Sequence, residues 1–283
     1  MKFFRSVCNW AGFVITTIFT FMPESAFNNK NGFTSFIAES TKLCEHNLAI
    51  IINRLILAVL VIVLVLIVLG IYTKIRRSIT IKGHDYIIKV KVGDLLTEKN
   101  CKKLINFDEC FSSHVGDAPE DIKPISLCGQ FLLNHPDLNI DQIVRGSKLK
   151  PSKIKSRFKN RNCYRLGSII QHDDYLLMAF APLDKKGLAH FLSVNEYMNC
   201  LSNMWEELDK YSRQCDVCIP ILGSGRTRIG SGTGYSYTVN NYINMIIWSY
   251  VLSPYKIKKP NKLQIICHKT DDLSLEKISM PEI

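Results

Sequence analysis

Residues 219–234 read Ile-Pro-Ile-Leu-Gly-Ser-Gly-Arg-Thr-Arg-Ile-Gly-Ser-Gly-Thr-Gly, and this stretch indicates most about the fold and its ligand. Its apolar start predicts the end of a buried strand, and a helix is predicted beyond it. Residues 223–234, the glycine loop, contain five glycines and two arginines. Glycine lets backbone N–H groups turn toward an anion, and a helix N-terminus attracts negative charge. The loop therefore predicts a phosphate or pyrophosphate site, with Arg226 or Arg228 as a charged clamp.

The glycine loop does not match the common nucleotide-binding motifs. It lacks the Gly-Lys-Ser/Thr end of a P-loop, and Arg228 stands where the dinucleotide fingerprint requires its third glycine. The chain contains no HExxH, GxSxG or Cys/His motif that would predict catalysis. Cys215 and Cys218 have CxxC spacing, but no second pair completes a zinc site, so they are predicted to be strand residues. We predict no catalytic residue, no metal site and no cofactor.

Short apolar runs on both sides of the glycine loop alternate with helical patterns. The predicted strands are Ile79–Ile81, Tyr86–Val92, Lys103–Asn106, Tyr164–Gln171, Tyr175–Ala181, Cys215–Leu222 and Lys262–His268. The predicted helices are Ser126–Asn134, Ile140–Leu149, Ser193–Ser212 and Tyr235–Leu252. This alternation predicts an α/β fold for residues 78–283, with a mixed sheet between layers of helices.

The first 73 residues have a different composition, because they contain only five bases and three acids and most of the formal charge of +11 lies beyond them. Leu55–Thr73 is an uncharged run of Leu, Ile and Val, long enough for a transmembrane helix. Residues 6–23 form a second uncharged run that several polar residues dilute, and a cleaved signal peptide is its alternative interpretation. We predict a transmembrane hairpin over residues 1–77, with spans at about 6–23 and 52–73.

The basic residues around the two runs predict the orientation of the hairpin. Lys2 and Arg5 precede the run at residues 6–23, and Arg76 and Arg77 follow the run at Leu55–Thr73. Residues 24–47, between the two runs, contain three acids and two bases. Bases collect on the cytoplasmic side, so both termini are predicted to be cytoplasmic in a multi-pass protein of the cell inner membrane. The ten scattered cysteines also favour a reducing compartment.

Residues 145–165, the basic segment, contain nine Lys or Arg and no acid. Such a block is usually a solvated loop. Near a cytoplasmic leaflet it would also be attracted to anionic membrane lipid, by about 1 kcal/mol per base. Nucleic-acid binding ranks below these interpretations, because the only aromatic residues in the segment are Phe158 and Tyr164.

The order of several motifs resembles a macro domain, a fold known for binding ADP-ribose. These motifs are Val92-Gly-Asp-Leu95, a strand reaching Asn106, Tyr175-Leu-Leu-Met-Ala-Phe-Ala-Pro182, a long helix, and Ile219-Pro-Ile-Leu-Gly-Ser-Gly225. More closely, Asn106–Phe111, Ile125–Phe131, Tyr164–Gly167 and Pro220–Gly225, behind the predicted spans, resemble the membrane-anchored macro effectors of type II Thoeris antiphage systems.

The resemblance implies roles for individual residues. Asp94 matches the carboxylate that accepts from the adenine amino group, and the amide of Leu95 faces the ring; a helix cap is the alternative interpretation of Asp94. Asn106 stands near the distal-ribose asparagine of the family. The second phosphate loop of the family matches Gly223, Ser224, Gly225, Arg226 and Thr227.

The chain departs from the hydrolytic macro domains at their first loop. Those enzymes have paired asparagines followed by a run of glycines, whereas this chain has Asn106-Phe-Asp-Glu-Cys and then His114-Val-Gly-Asp117. The departure argues against hydrolysis and favours a reshaped pocket for an ADP-ribose with an extra group. Asp108, His114 and Asp117 are candidate residues for that group.

The resemblance implies a sensor and effector rather than an enzyme. A TIR-domain partner would make the signal, expected to be histidine-ADP-ribose, from NAD, and the signal would bias a two-state arrangement of membrane helices. Oligomerised hairpins would then disrupt the membrane and kill or arrest the cell in abortive infection, since one hairpin cannot enclose a pore. The alternatives are a membrane-tethered ADP-ribosyl hydrolase and, third, a membrane-tethered nucleic-acid-binding protein.

Overall fold

The computed structural model divides the chain into two compact units, Met1–Arg76 and Arg77–Ile283. It describes residues 2–21, 45–75, 78–211, 215–225, 227–230, 237–268, 274, 275 and 278. Residues 22–44 lie outside these ranges and include most of the predicted segment between the two spans. Arg76 and Arg77 also lie outside them.

The first unit contains two helices, α1 (Lys2–Phe21) and α2 (Glu45–Ile75). Ala11 of α1 is buried with Val65 of α2. Among the described helices, only α2 is long and apolar enough to cross a membrane, over Ile50–Ile71. Polar residues dilute α1, including three threonines whose hydroxyls donate to the carbonyls four residues earlier. The predicted second span, and with it the multi-pass topology, is therefore not supported.

The second unit is built on a seven-stranded sheet in the order β1-β2-β9-β7-β3-β5-β4. The strands are β1 (Ser78–Lys82), β2 (Ile87–Val92), β3 (Cys101–Asp108), β4 (Ile169–His172), β5 (Tyr175–Ala181), β7 (Asp216–Pro220) and β9 (Leu263–Cys267). The edge strands β1 and β4 pair antiparallel with β2 and β5, and the five central strands are parallel. The predicted mixed sheet is confirmed.

Helices cover both faces of the sheet, as predicted. One face carries α5 (Val194–Asp209) and α6 (Val239–Leu252), and the other carries α3 (Leu127–Asn134) and α4 (Ile140–Gly146). Strand β5 shows how the two cores form. Leu176, Met178 and Phe180 pack into the first core, whereas Leu177 and Ala179 pack into the second. Successive side chains of a strand point to opposite faces, so a continuous apolar run fills both layers.

Two predicted elements begin later than expected. The strand predicted from Tyr164 begins at Ile169, because Gly167 has a φ of +88° and lies against α5, where a Cβ would be 2.5 Å from the Cys200 carbonyl. The helix predicted from Tyr235 begins at Val239, where Thr238 forms a capping box with Asn241. Strands β4 and β5 form an antiparallel hairpin whose turn contains Asp173 and Asp174.

A two-stranded parallel pairing was not predicted. Strand β6 (His190–Phe191) pairs with β8 (Arg228–Ile229), which lies inside the glycine loop. Each strand has only two residues, too few for a period to be visible in the sequence. The pairing fixes the outer part of the glycine loop to the connection between β5 and α5.

Candidate functional site

A cleft of about 1270 Å³ opens where the parallel strands end. Its floor consists of residues at the carboxyl ends of four strands and just beyond them: Asn106–Asp108, Phe180–Ala181, Pro220–Ile221, and Ile266 with His268. Ligands of parallel α/β sheets bind at this end, because the loops that leave the strands converge there. The volume exceeds the range typical of small-molecule sites and is large enough for an extended ligand.

One wall of the cleft is the segment from Asp117 to Cys128, which leads into α3. Ser126 caps the helix by accepting a hydrogen bond from the N–H of Gly129 at 3.0 Å. The first N–H groups of α3 therefore lie beside the cleft and favour an anion. Gly129 is required by packing, since a Cβ there would lie 2.1 Å from the Lys123 carbonyl oxygen.

The opposite wall is the glycine loop, which is anchored at both of its described ends. The hydroxyl of buried Tyr197 donates to the Leu222 carbonyl at 2.9 Å, just before the loop. At the far end, the Gly230 N–H donates to Phe191, and the His190 ring lies 3.1 Å from the Gly230 carbonyl. These contacts hold the described part of the loop, residues 223–225 and 227–230, against the cleft.

Gly223 and Gly225 have different roles in this wall. Gly223 has a φ of +89°, and a Cβ there would lie 2.8 Å from the Tyr242 ring, so both backbone and space exclude a side chain. Gly225 is exposed, and a Cβ on it would meet nothing within 4 Å. Gly223 therefore shapes the loop, whereas Gly225 keeps the cleft wall open.

Charge is unevenly distributed around the cleft. Three acidic side chains, Asp117, Glu120 and Asp121, line the first wall, whereas the described glycine loop presents backbone groups and Arg228. Lys123 also lines the first wall, but its ammonium donates to the carbonyls of Gly116 and Ala118. The first wall therefore combines three carboxylates with the N–H groups of α3, whereas the described glycine loop contains no acid.

A family model described as "Thoeris protein ThsA, Macro domain" matches residues 88–268, which include both walls of the cleft. The match covers more than half of the chain. The chain belongs to the Thoeris ThsA macro-domain family. This confirms the resemblance seen in the sequence motifs.

The chain is also similar to individual proteins. A Thoeris protein ThsA from Bacillus amyloliquefaciens strain Y2 is 29% identical over 216 residues, which cover 73% of this chain and 70% of the relative. A macrodomain mutant from Oceanobacillus iheyensis has a TM-score of 0.40 and 10% identity, covering 72% of this chain and 94% of its own. The structure of the same organism's macrodomain with ADP has a TM-score of 0.38 and 12% identity, covering 69% and 90%.

Most of the residues predicted for binding line the cleft of the ThsA macro domain. They are Leu95, Asn106, Asp108, Gly223, Ser224, Gly225, Thr227 and Arg228. Asp94 and His114 are not among the lining residues, and Arg226 lies outside the described residues. Their predicted contacts with a ligand stay predictions.

Asp94 and His114 lie beside the cleft, each with a local partner. The carboxylate of Asp94 accepts from the Leu96 N–H at 3.0 Å and caps the short 3-10 helix Leu95–Thr97, as its alternative interpretation required. The side chain of His114 is 82% exposed, and its Nε2 lies 3.8 Å from Asp121 Oδ1. His114 therefore lies near a residue of the first wall without lining the cleft itself.

Asn106 and Asp108 lie on the floor, one residue apart at the end of β3. Within the described residues, the Asn106 side chain has no hydrogen-bond partner, so its amide is available to a ligand. Oδ1 of Asp108 accepts from the N–H groups of Cys110 and Ser112, at 2.8 and 3.2 Å. Asp108 thus shapes the chain turn after β3 while it lines the cleft.

Several lining residues were not predicted from the sequence. Glu120, Asp121, Lys123, Ser126, Tyr237, Tyr242 and His268 all contribute to the cleft. The helix cap at Ser126 is a signal that could have located the first wall, because a capped N-terminus after a loop is a common anion site. The two tyrosines gave no such signal, since aromatic residues near a helix start usually belong to the core.

Cys128 is the only cysteine among the described lining residues, and its environment does not favour a nucleophile. Burial, and after it the charge of Asp108, raises the pKa of the Cys128 thiol well above its usual value. A thiol must ionise to attack or to ligate a metal, so Cys128 is inert at neutral pH. Its position in α3 is structural.

We expect Tyr197→Phe to lower the free energy of unfolding by about 1.5 kcal/mol, because it leaves the buried Leu222 carbonyl without its donor. Ligand affinity should fall as well, since this bond fixes the start of the glycine loop. Tyr255→Phe is the matched control, because Tyr255 is exposed and its hydroxyl has no partner among the described residues. Urea denaturation and ligand titration of both variants check the prediction. Equal stability of the two would contradict it.

Proposed function

We propose that this ThsA macro-domain chain is an antiphage defence effector that senses an ADP-ribose-type nucleotide and acts on a membrane. One observation carries the proposal: the glycine loop and the N-terminus of α3 form opposite walls of a single cleft. Both present backbone N–H groups, which suits a pyrophosphate between two nucleoside groups. The cleft volume of about 1270 Å³ suits a ligand of that length.

The three carboxylates of the first wall support a signal that carries a cationic group. They belong to Asp117, Glu120 and Asp121, and a plain ADP-ribose has no cation to pair with them. Carboxylates attract an ammonium or imidazolium group, and each such hydrogen bond adds affinity. Histidine-ADP-ribose, made by a TIR-domain partner, has both the required anionic centre and a basic substituent. We therefore propose it as the signal.

The apolar surface of α2 supports action at a membrane. Leu55, Leu60 and Leu64 are each about 60% exposed, and exposed apolar residues occur on every side of the helix. A helix that is apolar all round is stable in lipid or within an assembly. We propose that ligand binding favours an oligomer in which α2, with α1 against it, disrupts the cell membrane. Abortive infection would be the cellular result.

The proposal assigns no catalytic residue. Cys128 is held as a neutral thiol, and the Asp108 carboxylate on the floor accepts from the N–H groups of Cys110 and Ser112. A sensor that keeps its ligand intact also keeps its signal. Hydrolysis of the ligand would therefore contradict the proposed role.

Isothermal titration of the full chain in nanodiscs with ADP-ribose, histidine-ADP-ribose and NAD tests the proposal. We expect the substituted nucleotide to bind about tenfold more tightly than ADP-ribose, the factor for one added charged hydrogen bond. The recovered ligand should be unchanged. Release of free ADP-ribose, abolished by Asn106→Ala, would show a hydrolase instead. Absence of binding to all three would refute the assignment of the cleft.

A further inference from the structure

The basic segment, residues 145–165, is attached to the domain by buried side chains. Ser156 is 4% exposed, and its hydroxyl donates to Glu109 Oε1 at 2.6 Å. The same oxygen accepts from the Leu183 N–H at 3.1 Å. Phe158 and Cys163 are also buried and pack with Leu183 in a small core of their own. The segment therefore has a defined conformation at its base, despite its lack of helix or strand beyond Gly146.

The charges of the segment point outward and lack acidic partners. The exposed bases are Arg145, Lys148, Lys150, Lys153, Lys155, Arg157, Lys159 and Arg165. Within the described residues, only Arg165 forms an ion pair, with Glu206 at 3.4 Å. A cluster of bases on a folded surface repels itself, so this arrangement is unfavourable unless an anionic partner covers it.

An exposed apolar residue stands in the middle of these bases. Ile154 is 79% exposed, and Lys153 and Lys155 flank it. A single exposed apolar residue is ordinary on a protein surface. Its position between lysines is what distinguishes Ile154, because a lipid interface accepts both an apolar side chain and its basic neighbours.

The segment lies at the carboxyl end of the parallel strands, which is also the end at which the chain enters the domain. Its anchor Glu109 follows the carboxyl end of β3, and the Glu109 N–H donates to Ala181 at the end of β5. Strand β1 runs antiparallel to β2, so its first residue, Ser78, pairs with Lys91 near the carboxyl end of β2. The entry point and the basic segment therefore lie at the same, carboxyl end of the parallel strands, although β1 is at the opposite edge of the sheet from β5 and β4.

We propose that the basic segment docks on anionic lipid headgroups, with Ile154 entering the interface between headgroups and acyl chains. The inference rests on the proposed membrane attachment through α2, which ends at Ile75, three residues before Ser78. Phosphate groups of lipids then supply the anions that the exposed bases lack.

The geometry of the aromatic residues disfavours nucleic acid as the partner. Single-stranded nucleic acid binds basic surfaces by stacking its bases on exposed rings. Phe158 is 8% exposed, and the Lys159 ammonium lies 4.6 Å from its ring centroid. The Tyr164 ring packs edge-on against Phe111 at 5.5 Å. The Phe158 ring therefore offers no free stacking face, and Phe111 covers part of the half-buried Tyr164 ring.

Amine-reactive labelling of the full chain in nanodiscs, read by mass spectrometry, tests the docking. Discs of phosphatidylcholine alone are compared with discs that contain phosphatidylglycerol. We expect labelling of Lys153 and Lys155 to slow by about fivefold or more in the anionic discs, the factor for a single base near such a surface. Lys99 and Lys258 are the matched controls, because both are exposed and both lie toward the amino ends of the strands, before β3 and β9. Their labelling should not change.

Two variants separate docking from a general effect of charge. Ile154→Ser should restore labelling of Lys153 and Lys155 in the anionic discs without altering it in neutral discs, whereas Lys99→Gln should change neither. Equal labelling of the segment in both lipids would overturn the proposal, as would protection by an added RNA oligonucleotide rather than by lipid. A chain that does not enter discs would refute the α2 anchor. Flotation with anionic vesicles would then test whether the basic segment binds lipid without that anchor, and absence of binding would overturn the docking.

Discussion

Gly225→Glu is expected to remove binding of the ADP-ribose-type signal while leaving the fold intact. Gly225 lies in the glycine-loop wall, it is exposed, and a Cβ there meets nothing within 4 Å. The new carboxylate would therefore stand in the cleft without clashing, next to the backbone groups proposed to hold the pyrophosphate. Two like charges in contact at a desolvated interface cost several kcal/mol, so affinity should fall by about a hundredfold or more.

Gly225→Ala is the control that isolates the charge. It adds the Cβ without the carboxylate, and we expect it to retain most of the affinity and the full thermal stability. Isothermal titration and thermal unfolding of both variants provide the measurement. If the Glu variant binds as tightly as the Ala variant, the glycine loop does not hold the phosphates. If both variants are less stable than the wild type, other residues must occupy the space beside Gly225 in solution.

Gly129→Ala is expected to destabilise the domain by about 3 kcal/mol, although alanine is a better helix former than glycine. The added Cβ would lie 2.1 Å from the oxygen and 2.9 Å from the carbon of the Lys123 carbonyl. These are backbone atoms, so no side chain can rotate away, and either α3 or the first wall of the cleft must shift. We therefore expect weaker ligand binding as well as lower stability.

Gly146→Ala in α4 is the matched control, because a Cβ at this helical glycine meets nothing within 4 Å. It should raise stability by a few tenths of a kcal/mol, up to about 1, through helix propensity alone. Urea denaturation of the two variants compares them directly. An equal response at both positions would show that the segment from Asp117 to Ser126 does not pack on Gly129.

The sequence was sufficient for features that depend on local patterns. The apolar period of Tyr175–Ala181 predicted a strand buried on both faces, and Ser126 and Ser193 marked the beginnings of helices that they cap. The glycine loop was recognised because glycine and strand spacing are visible in one short stretch. The uncharged run at Leu55–Thr73 predicted a helix long enough to span a membrane. The described α2 is long and apolar enough to do so over Ile50–Ile71.

The site could be predicted only where its residues belonged to such stretches. Asn106, Asp108 and the glycine loop follow strands directly, and parallel strands bring their carboxyl ends together. The acidic wall could not be found in this way. Glu120 and Asp121 reach the cleft because Gly129 allows the preceding loop to pack against α3, a contact that depends on distances through space.

The sequence by itself carried the resemblance to the family, through the order of its motifs. It also determined the α/β class, the apolar helix and the position of the glycine loop. These properties follow from composition and from periods of two to four residues, which neighbouring residues set. Tertiary structure alone decided that Asp94 caps a 3-10 helix, that His114 does not line the cleft, and that β6 pairs with the glycine loop. The partners of Asp94 and His114 are near in sequence, but the pairing of β6 joins segments more than 30 residues apart, which only the folded sheet brings into contact.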